Sequence, residues 1–305
     1  MKVLVTGGAG FIGSHIVDAC LAAGHDVAVV DDLSTGKRAN VDPRARLHQA
    51  DLRDEGALKA VFEQERPEVV SHQAAKANVR ESMARPRLYA EVNILGSLNL
   101  LEQARHYGVK KIVYASTGGA VYGEPEYLPA DEAHPINPLD PYGASKHQVE
   151  HYLYIYRKHY GLDYTVLRYA NVYGPRQDPE GEAGVIAIWT ALMLKGKPST
   201  IYGTGGQERD FVYVGDIARA NVLALEKGSG EIINLGSTIP TSINEVFDLL
   251  KSITGYAQER THGPAKAGEV YRSYITHDKA ERLLGWDPTV SLRDGLQRTV
   301  DHFRH

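Results

Sequence analysis

Seven short runs rich in valine and isoleucine constrain this chain more than any other feature. They are KVLV, VAVV, RLHQA, EVVSHQA, KIVYAS, YTVLRY and IINLG. Most are bounded by glycine, aspartate or proline, as strands covered on both faces are. Longer segments with helical period separate most of them: Ile12 to Ala23, Gly56 to Glu65, Leu88 to Tyr107, and Tyr142 to Tyr160. Strand–helix alternation of this kind predicts an α/β fold with a doubly wound parallel sheet. After Gly174 the rhythm changes. A polar loop, GPRQDPEGEAG, is followed by a helix over Val185 to Lys195 and a glycine-rich loop over Gly203 to Gly206. Two more helices are expected at about His277 to Leu284 and Ser291 to Phe303. The expected organisation is a main domain over 1–174, rejoined by about 212–255. A smaller, discontinuous α/β domain takes 175–211 and 256–305.

At 305 residues the chain is long enough for two cores. Hydrophobic content of 43% and charged content of 24% are those of an ordinary globular protein. The net charge is −4, and the densest basic stretch, Gly36 to Arg38, is too short for a nucleic-acid footprint. No run approaches the roughly eighteen apolar residues of a membrane span. Glycines interrupt the apolar start MKVLVTGGAGFIG, so it is expected to be a first strand rather than a signal peptide. The single cysteine, Cys20, excludes an internal disulfide and a thiolate cluster, and its helical context marks it as core. The thirteen histidines show no HExxH spacing, so no metal is expected, and the compartment reads as cytoplasm.

The segment VTGGAGFIGSH carries Gly7, Gly8, Gly10 and Gly13 between the first strand and the first helix. Glycines there let backbone N–H groups approach a pyrophosphate at the helix start, where the helix dipole favours negative charge. An acidic residue at the end of the next strand completes the pattern, and Asp31 stands eighteen positions after Gly13. A carboxylate there accepts hydrogen bonds from a ribose diol and repels a 2′-phosphate. The expected fold is thus Rossmann-type and the expected cofactor NAD, with Lys37 and Arg38 as the cations that argue for NADP.

YGASK puts Tyr142 and Lys146 four apart, on one helix face. Two other pairs share this spacing. Tyr107 and Lys111 are split by the helix end at Gly108. Tyr154 and Lys158 lie three turns further along the same helix. Only Tyr142 stands in a first turn, behind Asp140 as N-cap and Pro141 at the first helical position. Such placement lets it face the strand ends, where ligands collect. A tyrosine base working near neutrality needs its pKa about three units below the phenol value near 10, or roughly 4 kcal/mol. A lysine ammonium one turn away and an oxidised nicotinamide ring would supply it. Tyr152, Tyr154, Tyr156 and Tyr160 on the same helix are expected in the core or in a subunit contact.

These motifs occur in order with ADLRD from Ala50, HQAA from His72, VN from Val92, YASTGGAVYG from Tyr114 and LRYANVYGPRQ from Leu167. Together they resemble the extended short-chain dehydrogenase/reductases along essentially the whole chain. Within that family the resemblance is to NAD-dependent sugar-nucleotide epimerases, the UDP-hexose 4-epimerases above all. It implies a UDP-sugar substrate. Tyr142 then strips a proton from the sugar 4-hydroxyl while hydride passes from C4 to NAD, and the keto sugar turns over before the hydride returns. Lys146 tunes Tyr142 and holds the nicotinamide ribose. The resemblance further implies that Gly7, Gly10, Phe11, Ile12 and Gly13 take the pyrophosphate. Asp31 takes the adenosine ribose, and Asp32 and Ser34 also bind the cofactor. Asp51 and Leu52 flank adenine, and Ala74, Ala75 and Asn93 lie along the nicotinamide side. Asn171 contacts the substrate, Thr200 and Tyr202 lie near uracil, and Glu269 binds the nucleotide ribose. Arg209 grips the diphosphate, the alternative being a surface ion pair with Asp210 or Glu208.

Two departures stand out. Relatives place a hydroxyl four residues before the tyrosine of VYG, and here that position is Gly118. Adjacent glycines adopt positive φ at little cost. A bulge at Gly118–Gly119 would present Thr117 instead, with Ser116 second and a water third. The other departure is Ser273, which falls where the family varies between bulky and small side chains beside the sugar 2-position. A small residue leaves room for an N-acetyl group. A 4,6-dehydratase would need an acid pair where Gly119–Ala120 stand, and a decarboxylase a glutamate there. Acid-sugar epimerases remain an alternative, and a non-catalytic NAD-sensing regulator would commonly lack the Tyr–Lys pair. Relatives also pair the helices from about Leu88 and Tyr142 into a four-helix bundle, which implies a homodimer.

Overall fold

The computed structural model describes residues 1–180, 184–265 and 270–304. Its first part runs β1 (Lys2–Thr6), α1 (Phe11–Ala22), β2 (Asp26–Asp31), β3 (Arg46–Gln49), α2 (Glu55–Glu65) and β4 (Val69–His72). Next come α3 (Val79–Ala84), α4 (Pro86–Tyr89), a π-wound segment at Ala90–Leu95, α5 (Gly96–His106), β5 (Lys111–Thr117), α6 (Pro141–Tyr160) and β6 (Asp163–Tyr169). Shorter elements follow: β7 (Asn171–Tyr173), α7 (Val185–Leu194), β8 (Thr200–Tyr202), β9 (Glu208–Arg209), β10 (Phe211–Tyr213) and α8 (Val214–Ala224). The remainder is β11 (Glu231–Leu235), β12 (Thr241–Ser242), α9 (Ile243–Thr254), β13 (Thr261–Gly263), β14 (Arg272–Ser273), α10 (Asp278–Leu284) and α11 (Leu292–Arg304). Among the described residues no helix is long and apolar enough to cross a membrane.

All seven expected strands lie in one sheet of order β3-β2-β1-β4-β5-β6-β11, every neighbouring pair parallel. Side chains alternate between two buried faces. Val3, Val5, Val27, Val29, Val113 and Leu167 pack with Ile16 and Val17 of α1 and Ile217 and Ala220 of α8. Leu4, Val30, Val70, Ile112 and Val166 pack with Phe62 of α2, Leu100 of α5, and Val149 and Leu153 of α6. Burial on both faces is why most of these strands are largely apolar runs, whereas β3 (RLHQ), at the sheet edge, is only partly buried. Each such side chain removed from water stabilises the fold by about 1.5–3 kcal/mol. The result is a Rossmann-type doubly wound sheet. Its strand order reverses between β1 and β4, so the loops at the carboxyl ends of β1, β2, β4, β5 and β6 share one edge.

A third core joins Trp189 and Met193 of α7, Val246, Phe247 and Leu250 of α9, and Leu296 and Val300 of α11. Packing shifts the expected domain boundary in two places. α9, expected with the sheet, belongs to this third core. Ala280 and Leu284 of α10, with Trp286, pack instead on the sheet side beside α8. The helix expected over Leu88 to Tyr107 is continuous in direction but contains the π-wound segment, on which Asn93 sits.

Three helices, α3, α8 and α9, fall outside the segments expected to be helical. For α9 the signal was present: Ser242 Oγ accepts from Glu245 N, and Ser-x-x-Glu is a capping-box pattern. For α8 it was weak, because no side chain caps its start and buried Asp216 and Asn221 interrupt its apolar face.

Candidate active site

The turn after β1 is built for close backbone approach. Gly7 takes φ +68°, and a Cβ on it would stand 2.8 Å from Ala74 N. A Cβ on Gly13 would collide with Gly7 O, and one on Gly8 would meet Val29 at 2.7 Å. Gly10 caps α1 without a side chain, so the first-turn N–H groups of Phe11, Ile12 and Gly13 face outward without intrahelical partners. No acidic residue stands in that first turn. Asp31, at the end of β2, accepts from Ala9 N at 2.9 Å on one oxygen and from Leu33 N at 2.8 Å on the other. Burial pushes its carboxyl upward, against the pull of those two bonds. Asp32 turns away and accepts from Ser34 N at 2.8 Å. Asp51 is held by Arg53, and buried Leu52 lends its carbonyl to Asn99 at 3.0 Å. Lys37, one of the two cations that argue for NADP, reaches Asp178 at 3.3 Å.

Ala74 and Ala75 follow β4. Ala74 N donates to Thr6 Oγ1 at 3.2 Å, as does Gln73 N. Thr6 then has its one proton for His72 Nδ1, 2.7 Å away, and His72 Nε2 faces Ser97 Oγ at 2.8 Å. Full burial, with the Lys146 charge nearby, lowers His72 to about 3, so it stays neutral. Asn93 accepts from Lys76 N at 2.8 Å and donates to Ser145 Oγ at 2.9 Å, stitching the π-wound segment to α6.

Asp140 caps α6 by accepting from Gly143 N at 2.7 Å, with Pro141 in the first turn, as expected. Tyr142 therefore stands in that first turn. The loop after β5 packs directly against it: a Cβ on Gly143 would lie 2.7 Å from Ala120 O. Lys146 is buried, its Nζ 4.7 Å from the centre of the Tyr114 ring. Burial lowers it to about 7, against the pull of Glu150. The remaining tyrosines of α6 divide: Tyr156 is buried and donates to Glu102, while Tyr154 and Tyr160 are exposed.

The two glycines do not make the expected bulge. Neither Gly118 nor Gly119 takes a φ in the left-handed region. Gly118 N instead extends the strand ladder to Tyr169 O at 2.7 Å. Its missing Cβ makes room for Ile275, whose Cδ1 would lie 2.5 Å from it. A Cβ on Gly119 would stand 3.9 Å from both Thr117 Oγ1 and Asn171 Oδ1, so these two groups border one space. Ser116 points elsewhere, donating to the buried carboxylate of Glu150 at 2.6 Å.

Gly118, Gly119, Asn171, Asp210, Ser273 and Ile275 come together beside the end of β5. Ser273 pairs in register with Arg209 across β14 and β9. Glu208 and Asp210, the carboxylates beside Arg209 in sequence, each have another partner. Glu208 pairs with Arg272 at 2.6 Å, and Asp210 accepts from Ser237 Oγ at 2.6 Å. Arg209 Nη1 donates to the Glu208 carbonyl at 2.8 Å. Thr200 and Tyr202 lie on β8, which pairs with β13. Glu269 lies outside the described residues.

Residues 3–236 match the model of the NAD dependent epimerase/dehydratase family. The chain belongs to that family. The crystal structure of a UDP-glucose 4-epimerase with UDP-glucose from Thermotoga maritima is 50% identical, with TM-score 0.98, covering 100% of this chain and 99% of that one. A UDP-glucose 4-epimerase complex with NAD from Thermus thermophilus is also 50% identical, with TM-score 0.95, covering 100% and 99%. A UDP-glucose 4-epimerase from Mycolicibacterium smegmatis is 41% identical over 100% of this chain and 99% of its own.

The epimerase/dehydratase family depends on NAD, and the residues here fit it. A turn with no Cβ to fill it, first-turn N–H groups and the Asp31 carboxylate would hold pyrophosphate and ribose. In family terms, one group was missed from sequence: Glu150, Arg168 and Tyr122, which lie behind the site. Their signal was local only in part. Glu150 stands four residues after Lys146 on α6, whereas Arg168 reaches it from β6.

Proposed function

We propose that this chain interconverts UDP-galactose and UDP-glucose by inverting C4 through a transient 4-keto sugar. One juxtaposition supports this above all: Tyr142, buried Lys146 and Thr117 share a sheet edge with the dinucleotide cradle, and Asn171 and Ser273 come together beside Gly118 and Gly119 at that edge. NAD, when bound, supplies a reversible hydride acceptor for C4. Tyr142 Oη takes the proton of the 4-hydroxyl and later returns it. Lys146 stabilises the phenolate, and formation of that anion in turn favours the ammonium against burial. Thr117 Oγ1 bonds the sugar O4, and Arg209 holds the diphosphate while the sugar turns. A dehydratase or decarboxylase would need an acid before VYG, and Gly119 and Ala120 offer none.

Purified protein given UDP-galactose without added cofactor is expected to yield UDP-glucose, read by chromatography of the nucleotide sugars. No product even with NAD supplied would remove the proposal. UDP-N-acetylgalactosamine is expected to be turned over as well, because the side chain at position 273 is as small as serine. Activity on the plain hexose alone would count against that role of Ser273.

We further propose a homodimer through α5 and α6. The two helices pack together, and exposed Leu95 and Tyr154 leave apolar surface on their outer side. Light scattering is expected to give twice the chain mass of 33.5 kDa. A monomer mass across micromolar concentrations would exclude it.

A further inference from the structure

Behind the site lies a buried charge that the mechanism above does not use. Glu150 sits one helical turn beyond Lys146 on α6 and is almost fully buried. Its carboxylate accepts from Ser116 Oγ at 2.6 Å, and from Arg168 Nε and Nη2 at 2.9 and 2.6 Å. His147 Nδ1 lies 3.1 Å from it. Arg168 is equally buried and donates its remaining nitrogen, Nη1, to Tyr122 Oη at 3.0 Å. Tyr122 Oη donates on to Asn234 Oδ1 at 2.7 Å. The carboxylate thus ties the helix of Tyr142 and Lys146 to the end of β5, to β6, and to the VYG tyrosine beyond the two glycines.

A buried ion pair is weak evidence of stabilisation, since well-packed apolar residues of the same volume often do as well or better. Its position, however, is informative. Ser116 and Thr117 are neighbours on β5, so their side chains leave the strand on opposite faces. Whatever fixes Ser116 against α6 fixes the orientation of Thr117 relative to the same helix. We propose that Glu150 is a positioning residue: through Ser116 and Arg168 it sets the strand end bearing Thr117 against the helix turn bearing Tyr142 and Lys146. This rests on the epimerase reading for the identity of the base.

The charge has a second effect. The charged and titratable groups around Lys146 are Glu150, His147 and Tyr142 from α6 itself, His72 from β4, Tyr114 from β5, Tyr122 from the loop after β5, and Arg168 from β6. Of these, Glu150 is the anion that supports the buried Lys146 ammonium. Burial alone would raise Glu150, but its bonds to Arg168, His147 and Ser116 hold it down at about 2, so it remains charged throughout the working range. Removing it withdraws support from Lys146, and then from a Tyr142 phenolate.

Glu150→Gln keeps the shape and removes the charge, while Ser116→Ala removes a single bond. Glu150→Gln is expected to lower kcat about tenfold, with KM for UDP-galactose within about twofold. The acid limb of its kcat profile moves to higher pH. The phenolate ultraviolet band of Tyr142, isolated by subtracting Tyr142→Phe, likewise grows in at higher pH. Ser116→Ala lowers kcat in the same direction but less. A lower Tm with kcat, pH profile and phenolate titration all unchanged would reduce Glu150 to a structural role and overturn the inference. If Glu150→Gln does not fold, a fully active Ser116→Ala overturns it alone. If the unchanged protein fails to convert UDP-galactose, the epimerase reading falls, and the phenolate titration still decides the role of Glu150.

Discussion

Tyr142→Phe is expected to lower kcat by about 10³-fold while leaving KM for UDP-galactose within a few-fold. The loss corresponds to about 4 kcal/mol of barrier, within what a positioned proton-transfer group supplies. The start of α6 is held by groups other than the phenol oxygen. Asp140 caps the helix through Gly143 N, Pro141 starts it, and the backbone carbonyl of Tyr142 accepts from Ser145 Oγ in either variant. NAD content of the purified variant should therefore match the unchanged protein. That combination separates a lost base from a damaged site. A kcat within tenfold of the unchanged protein, with NAD content intact, would show that another group moves the proton. The Tyr154–Lys158 pair is a poor substitute, because exposed Tyr154 stands three turns along the same helix.

The sheet was legible because its inner strands are largely buried on both faces, which keeps valine, isoleucine and leucine dominant in their runs even where polar residues such as Ser71 and Arg168 are buried among them. The cap of α6 was legible for a different reason: Asp140, Pro141 and Gly143 act on one another within four residues. Features resting on distant partners were not. α8 buries Asp216, whose carboxylate accepts from Thr289 Oγ1 at 2.7 Å and from Val290 N at 3.0 Å. Nothing near Asp216 in sequence announces those donors, so a buried acid in the first turn of an apolar helix reads as an interruption.

The same distinction explains Gly118, the first of the two glycines after Thr117. Positive φ is the local reason for a glycine, and it was the expected one. The operative reason is the approach of Ile275 from the far end of the chain. Ser116 was likewise readable as a hydroxyl near the site. Its commitment to Glu150 depends on which strand face meets α6, which the run KIVYAS alone does not reveal.

Gly13→Ala is expected to strip the protein of its dinucleotide and to destabilise it. The added Cβ would collide with Gly7 O and stand 2.7 Å from Gly7 C and 3.0 Å from Gly8 Cα. All three are backbone atoms, so no side-chain rotation relieves the clash. Nor is Gly7 free to withdraw. Its N donates to Val30 O at 2.7 Å, its φ is +68°, and its other side already lies against Ala74. The start of α1 must move instead, and with it the N–H groups of Phe11, Ile12 and residue 13. Overpacking of this kind costs about 1–3 kcal/mol of stability. The larger effect is on anion binding, because those N–H groups and the helix dipole act only at close range. Gly10→Ala makes a matched control: its Cβ would stand 3.2 Å from Gly7 O, a contact that a few tenths of an ångström relieve. Nucleotide released on denaturation, measured per mole of protein, should be near zero for Gly13→Ala and close to the unchanged protein for Gly10→Ala. Equal retention by both variants would mean that the turn tolerates a side chain at residue 13, and the pyrophosphate would have to be held by something other than this backbone.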